Sequence, residues 1–505
     1  MTAAIDRFIE DNPKLVWLAA IIVAGIGSWI MYDAMPGVNW GIWTAAASVG
    51  LIFVARNRGT LDSSTILMVA TATVLAIGAA VTADPLMHAL ICLGVMLFLS
   101  LAMLLAVDPG LQRLSAPFVI SAPFIAGGTA LAESFRRLVD LSGMFRSTRA
   151  RATVRGIVIT VPVVVVFALL LSNADPIFAG WRQELARIIE TWSFIPRTIF
   201  FCALLTVVLG AYSFAARTPA PIAAPPSVPP ADTTSNRWLG ATERLILLSA
   251  VTALFWLFIA VQLSYLFGNV PSMPGSDLTF AEYAQQGFGE LSIVATFSIL
   301  LIVVSERYGK VNGHGTLLRA LTIALLLAVL IILVSAFNRV LLYEAAFGFT
   351  VARLYAQVYM IVLAFALFAL AVEVLTTLDT RALFRRVFAV AVIAFMVLVF
   401  WNHESWIASK NIDRYASTGK LDVRYLVIDL SPNAVPVIVS RLSTLPDPMR
   451  AQLRDAIVAH YQNTRRLGSD RWFEWNYRRQ QARVALARMG LPEPTARPVV
   501  VRVPG

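Results

Sequence analysis

Long apolar runs separated by short polar connections set the rhythm of this chain. They fall near 15–32, 39–55, 63–83, 86–107, 154–172, 197–215, 243–267, 287–305, 317–337, 352–376 and 386–402. A helix crosses the hydrocarbon of a bilayer with about 20 mainly apolar residues, so the pattern predicts eleven spans. The stretch 115–131 is shorter, contains Pro117, Pro123 and the pair Gly127-Gly128, and has basic flanks. It is a twelfth candidate span, left out of the count of eleven, with an interfacial or re-entrant placement as the alternatives. Beyond Asn402 the apolar positions become spaced. Asp447-Pro448 followed by Met449, Leu453, Ile457 and Tyr461 reads as a helix with an i, i+4 stripe. Asn476 to Met489 reads as a second, basic helix, and Leu421 to Leu430 fits either strand or helix. The expected fold is therefore all-α, a polytopic transmembrane bundle of about 11 spans with a small, mainly helical C-terminal extramembrane domain.

Composition supports the membrane. The chain is 58% hydrophobic and 14% charged, whereas soluble domains carry about 45–50% apolar and about 25% charged residues. The net charge of +11 does not point to nucleic acid, which needs a clustered basic face. Positive charge in short loops marks the cytoplasmic side instead. With the N-terminus inside, 20 of the 41 Lys and Arg fall on the inner side, 5 on the outer and 16 beyond residue 402. This count depends on 115–131 not crossing, because a crossing there moves Arg136 to Arg155 outward. The reading is a multi-pass protein of a bacterial cytoplasmic (inner) membrane, with the N-terminus inside and the C-terminal domain extracytoplasmic.

The same pattern divides the chain. Residues 1–215 form an N-terminal membrane half of about six spans, with a basic cytoplasmic segment at 108–155. Residues 216–240 contain Pro219, Pro221, Pro225, Pro226, Pro229 and Pro230 and read as an extended cytoplasmic linker. Residues 241–402 are a second membrane half of five spans, 403–490 the helical extracytoplasmic domain, and 491–505 a Pro-rich tail. The first apolar run is read as a retained span, being too long for a signal-peptide core.

Ionisable residues next to hydrocarbon are costly unless paired or wet, and so mark candidate sites. The outer connections carry Glu282, Tyr283, Glu290, Arg339, Tyr343, Glu344, Arg353 and Tyr355, read here as a ligand-binding cluster. Arg339 and Tyr343 share a helix face, as do Arg353 and Gln357, and Tyr355 and Tyr359. Arg339 or Arg353 is placed to form a bidentate pair with Glu282, Glu290 or Glu344. The competing reading is that these charges only pin loops. The nearest approach to a metal set is Asp84 and His88 at i, i+4 with His403 and Glu404, but no established ligand spacing occurs, so no metal site and no cofactor are expected. Cys92 and Cys202 sit inside apolar runs and read as packing residues. No GxSxG, Walker or GxGxxG motif occurs, and no catalytic residue is assigned. Asp33 alone is a slight basis for a lipid-linked transferase.

Several stretches together resemble the bacterial membrane family called domain of unknown function 4153, also catalogued as 4173. They are Asn173-Ala174-Asp175-Pro176-Ile177-Phe178, Leu278-Thr279-Phe280-Ala281-Glu282-Tyr283-Ala284, Leu342-Tyr343-Glu344-Ala345-Ala346-Phe347-Gly348-Phe349-Thr350 with Arg353-Leu354-Tyr355, Gly419 to Leu426, Ser431 to Pro436, and Trp475 to Arg483. The resemblance implies a polytopic bacterial inner-membrane protein without an established activity. It places Glu282, Tyr283, Tyr343, Glu344, Arg353 and Tyr355 at motif positions. Three functions compete: an envelope ligand-binding, sensory or partner-scaffolding protein, a permease for a small solute, and a membrane-embedded envelope enzyme. Besides the bilayer, the expected partners are an envelope protein or anionic lipid headgroups against the basic C-terminal domain.

Overall fold

The computed structural model describes residues 13–56, 62–141, 194–216, 239–267, 288–308, 315–376, 379–462 and 471–490, with single positions at 156, 160 and 467. Eleven helices in it are long and apolar enough to cross a membrane. They are α1 (Pro13–Met31), α2 (Val38–Ala55), α3 (Ser63–Val81), α4 (Pro85–Val107), α5 (Ala116–Leu141), α6 (Phe194–Ala215), α7 (Ala241–Phe267), α8 (Phe288–Tyr308), α9 (Gly315–Phe347), α10 (Val351–Leu375) and α11 (Thr380–Phe400). Four more follow: α12 (His403–Thr418), α13 (Val435–Arg441), α14 (Asp447–Gln462) and α15 (Tyr477–Arg488).

Apolar side chains face outward as well as into the core: Phe124, Ile120 and Phe368 are 79%, 71% and 69% exposed, while Arg244 and Glu344 are each 2% exposed. An apolar exterior suits a hydrocarbon solvent, where backbone groups are satisfied within each helix.

The chain separates into two compact units. The first holds α1 to α6 together with residues 465–483. At one of its ends lie the close of α1, the start of α2 and the close of α3. Asn39 joins the first two by donating to the Ile30 carbonyl at 3.0 Å. The start of α6 stands at this end too, since the Ser28 hydroxyl donates to the Arg197 carbonyl at 3.4 Å. Helices α5 and α6 run antiparallel, with Ser134 bonded to the Thr206 carbonyl. They touch backbone to backbone at Gly210, where an added Cβ would lie 1.8 Å from the Ala130 carbonyl oxygen. Small residues at such a crossing give close van der Waals packing, which drives helix association in lipid.

These contacts revise two expectations. The segment 115–131 is neither a short interfacial piece nor a broken re-entrant loop, but the first part of a continuous 26-residue helix. Its Pro123 lies two turns inside, and its side chains Ile120 and Phe124 face outward. Of the span expected at 154–172 only the single positions 156 and 160 are described. What the structure does show is that its two flanks, the close of α5 and the start of α6, stand at the same end of the bundle. Arg136 and Arg197, assigned by charge to opposite sides, therefore share an end.

The second unit holds α7 to α14 with residues 484–492. At one end the Leu239 amide reaches the Tyr308 carbonyl at 3.2 Å, and Arg307 reaches Thr380 at 2.8 Å. That end thus carries the starts of α7, α9 and α11 and the closes of α8 and α10. The other end carries the α9–α10 turn, covered by α12 and the short helices after it. Between the two ends runs an apolar cluster that includes Leu318, Leu325, Val329, Ile332, Leu333 and Ala336 of α9 with Met360, Leu363, Leu367 and Leu370 of α10.

Candidate functional site

Asn338 to Arg353 was expected to be a link between two spans, but most of it is helix. α9 continues through Asn338 to Phe347, 33 residues in all, or about 50 Å at 1.5 Å per residue. That exceeds the roughly 30 Å of bilayer hydrocarbon, so the helix is longer than one upright crossing needs. The turn is only Gly348, Phe349 and Thr350. Leu, Ala, Arg and Glu are all good helix formers, so Arg339 and Glu344 continue the helix rather than break it.

The turn is fixed from several directions. Gly348 adopts φ +90°, and a Cβ there would meet the Asn411 Oδ1 at 2.6 Å. The Phe349 amide donates to Asn411 Oδ1 and the Asn411 amide donates back to the Phe349 carbonyl, both at 2.8 Å. Arg414 donates to the Ala345 carbonyl at 2.9 Å and to that of Ala346, a cation on the otherwise unpartnered C-terminal carbonyls of α9. Thr350 N-caps α10, and the Val351 amide donates to the Tyr425 hydroxyl at 2.8 Å.

Behind the turn lies the buried part of the cluster. Glu344 is 2% exposed and accepts a hydrogen bond from Gln357 at 2.8 Å. Its second oxygen, Oε1, has no hydrogen-bond partner among the described residues. Arg353 stacks over the Tyr343 ring with its guanidinium carbon 3.9 Å from the centroid, and donates to the Gly348 carbonyl. Tyr343 in turn packs edge-on against Phe347 at 4.9 Å. Tyr355 is bonded to His403 at 3.2 Å.

Half of the predicted cluster is therefore brought together: Tyr343, Glu344 and Arg353 meet at the turn with Gln357, and Tyr355 stands beside α12. Of the expected bidentate pairings, that of Arg353 with Glu344 is not formed, and those with Glu282 lie outside the described residues. Among the described residues no ion pair joins Arg353 to Glu344, because Arg353 takes the Tyr343 face and a backbone carbonyl and acts on Glu344 only at longer range. Arg339 is half-buried about two turns before the end of α9, and Glu290 is exposed in the first turn of α8. Glu282 and Tyr283 lie outside the described residues.

The residues weighed as metal ligands have other partners. Asp84 N-caps α4 through the Leu86 amide at 2.9 Å, and His88 bonds the Ala79 carbonyl at 3.2 Å. Glu404 accepts from the Ser431 amide at 2.9 Å, from the Ser431 hydroxyl and from Asn433 at 2.7 Å. His403 faces Tyr355 and the Trp401 carbonyl. Among the described residues no three His, Cys, Asp or Glu side chains come together as a metal set.

Sequence reasoning missed a second charged site at the opposite end of this unit. Arg244, 2% exposed, pairs with Glu306 and donates to Ser305 at 3.0 Å, while Thr322 donates to the same Glu306 oxygen at 3.0 Å. Glu373 similarly takes Arg386 and the Asp379 amide. Each arginine had been counted only as a charge setting orientation; the carboxylate in the neighbouring helix end was the available signal.

Eleven membrane-length helices, lipid-compatible exteriors and charges withdrawn to the helix ends define a multi-pass α-helical membrane protein. Residues 69–440 match the profile of the domain of unknown function DUF4153, and the chain belongs to that family. No curated protein and no solved structure matches it.

Proposed function

We propose that this protein binds an envelope ligand or partner at the α9–α10 turn, acting as a sensory or scaffolding protein. The observation that carries the reading is the buried Glu344, which has one oxygen held by Gln357 and the other without a hydrogen bond. A buried carboxylate oxygen left unpaired costs free energy that a donor from a ligand recovers. Transport is the weaker reading, because an apolar cluster fills the space between the two polar ends of α7 to α11. An enzyme needs a nucleophile, acid–base pair or metal set beside a cavity, and the turn offers a clamped backbone instead.

Orientation belongs to the same proposal. The end carrying Arg244, Arg307, Arg381, Arg385 and Arg386 is the cytoplasmic one by the positive-inside rule, which sets the α9–α10 turn and α12 to α14 outside the cytoplasmic membrane of a bacterium. Residues 1–215, the linker 216–240, the half at 241–402 and the domain at 403–490 remain the proposed functional divisions. Complementation of a null strain tests the binding role. Glu344→Gln at wild-type protein level should fail to restore the wild-type phenotype, and full restoration would sink the reading. Thiol labelling of Lys420→Cys in intact cells tests the orientation; labelling seen only after the membrane is opened would reverse it.

A further inference from the structure

A cavity of about 200 Å³ opens in the first unit, lined by Arg471, Trp472, Glu474, Trp475, Asn476, Arg479, Gln480 and Arg483. Its walls are fastened to the bundle end where α1 closes and α2 begins. The Val38 amide donates to the Trp475 carbonyl at 3.0 Å. Asn476 donates to the Ala79 and Thr82 carbonyls at 2.9 and 2.6 Å. Arg471 reaches the Asp33 carbonyl, and Trp472 packs on Trp29 with centroids 6.4 Å apart.

Among its described lining residues the cavity holds three arginines and one acid. That acid, Glu474, is paired with Arg471, and Arg483 also donates to the Leu467 carbonyl. Arg479 is 7% exposed and donates to the Pro36 and Glu474 carbonyls and, at 3.1 Å, to the Met35 sulfur, while its Nε has no hydrogen-bond partner among the described residues. Burial pulls its pKa from the usual value down to about 10, with Glu474 opposing; the cation is under-solvated and still charged at neutral pH. Guanidinium groups recognise phosphate in planar, bidentate fashion. Trp472 and Trp475 are 60% and 49% exposed, and tryptophan concentrates at the headgroup level of a bilayer. The neighbouring ends of α1 to α4 bring the cavity to that level.

We propose that this cavity is a phosphate site that takes the headgroup of an anionic phospholipid, with Arg479 and Arg483 as the phosphate donors and the two tryptophans as its headgroup-level rim. It goes beyond the α9–α10 turn and stands or falls separately from it. The full-length protein in neutral detergent is titrated with phosphatidylglycerol, phosphatidylcholine or inorganic phosphate, with retained lipid counted by native mass spectrometry and thermal stability followed in parallel. Phosphatidylglycerol should be retained at least tenfold better than phosphatidylcholine. Gln480→Glu, which adds a negative charge at an exposed position of the cavity, should weaken retention about tenfold while leaving the lipid-free unfolding temperature unchanged. Arg479→Gln should weaken it at least as much. Equal retention by wild type and both variants would overturn the proposal. Saturable protection by inorganic phosphate without selective phosphatidylglycerol retention would overturn the lipid assignment.

Discussion

The two ends of the second unit handle buried charge in opposite ways. At the end of α8, Glu306 is matched by Arg244 and Thr322, and Arg244 is further held by Ser305. At the end of α9, Glu344 is as buried as Arg244 but has a neutral partner on one oxygen and none on the other. A saturated charge site holds helices together and has nothing left to offer a ligand. An unsaturated one costs stability where it stands, which is the usual mark of a position kept for something else. Burial alone does not separate the two cases; counting donors does.

The sharpest way to test the contrast is to break the saturated side. Arg244→Leu leaves Glu306 as an uncompensated, partly buried charge, and losses of about 3–5 kcal/mol follow from removing one member of a buried pair. Adding Glu306→Leu should recover most of the loss, because the double variant strands no charge. Thermal unfolding of the purified protein reads both. A single variant as stable as wild type would mean that Arg244 and Glu306 do not hold α7 to α8.

The next largest effect is expected at the turn itself. Gly348→Ala puts a Cβ into Asn411 at a φ that L-residues rarely adopt, at a cost of about 1–3 kcal/mol. Asn411 would have to yield, which also loosens its two bonds to Phe349. Loss of stability without displacement of α12, read by protease sensitivity after Lys410, would contradict that coupling.

The runs of apolar residues made ten of the eleven helices legible, because length and hydropathy are local properties. Helix α5 was not, since Pro123 and Gly127-Gly128 are breaking signals that lipid and the burial of Ala122, Ala126 and Ala130 override, Ala130 lying against Gly210 of α6. The site was half legible. Charges among tyrosines next to a span pointed to Tyr343, Glu344 and Arg353, but which partner each takes depends on rotamers and on Asn411, Arg414 and Tyr425, more than 50 residues downstream. The choice of Arg353 for an aromatic face over a carboxylate could not be read from spacing, since both partners lie within one helix turn of each other.

Glu344→Gln probes the unsaturated side and should be nearly silent in stability, within about 1 kcal/mol, because a single neutral hydrogen bond is at issue. Its effect should fall on binding. A stability loss comparable to that of Arg244→Leu would erase the distinction between the two ends and return Glu344 to a structural role.

The most local effect expected is an alkaline one. Burial, then the nearby Glu404 and Asp429, push the Tyr425 phenol from its ordinary value of 10.0 up to about 12, against the pull of the Val351 amide and Arg353. Below pH 10 the phenol is protonated in folded and unfolded chains alike, so its contribution is fully present and flat. Between pH 10 and about 12 the unfolded chain releases the proton first, which favours unfolding, and stability should fall as pH rises through that window. Tyr425→Phe removes this slope and, by taking away the acceptor for the Val351 amide, lowers neutral-pH stability by about 0.5–1.5 kcal/mol. An identical slope in the phenylalanine variant would assign the alkaline loss to another group and detach Tyr425 from the turn that α9 and α10 share.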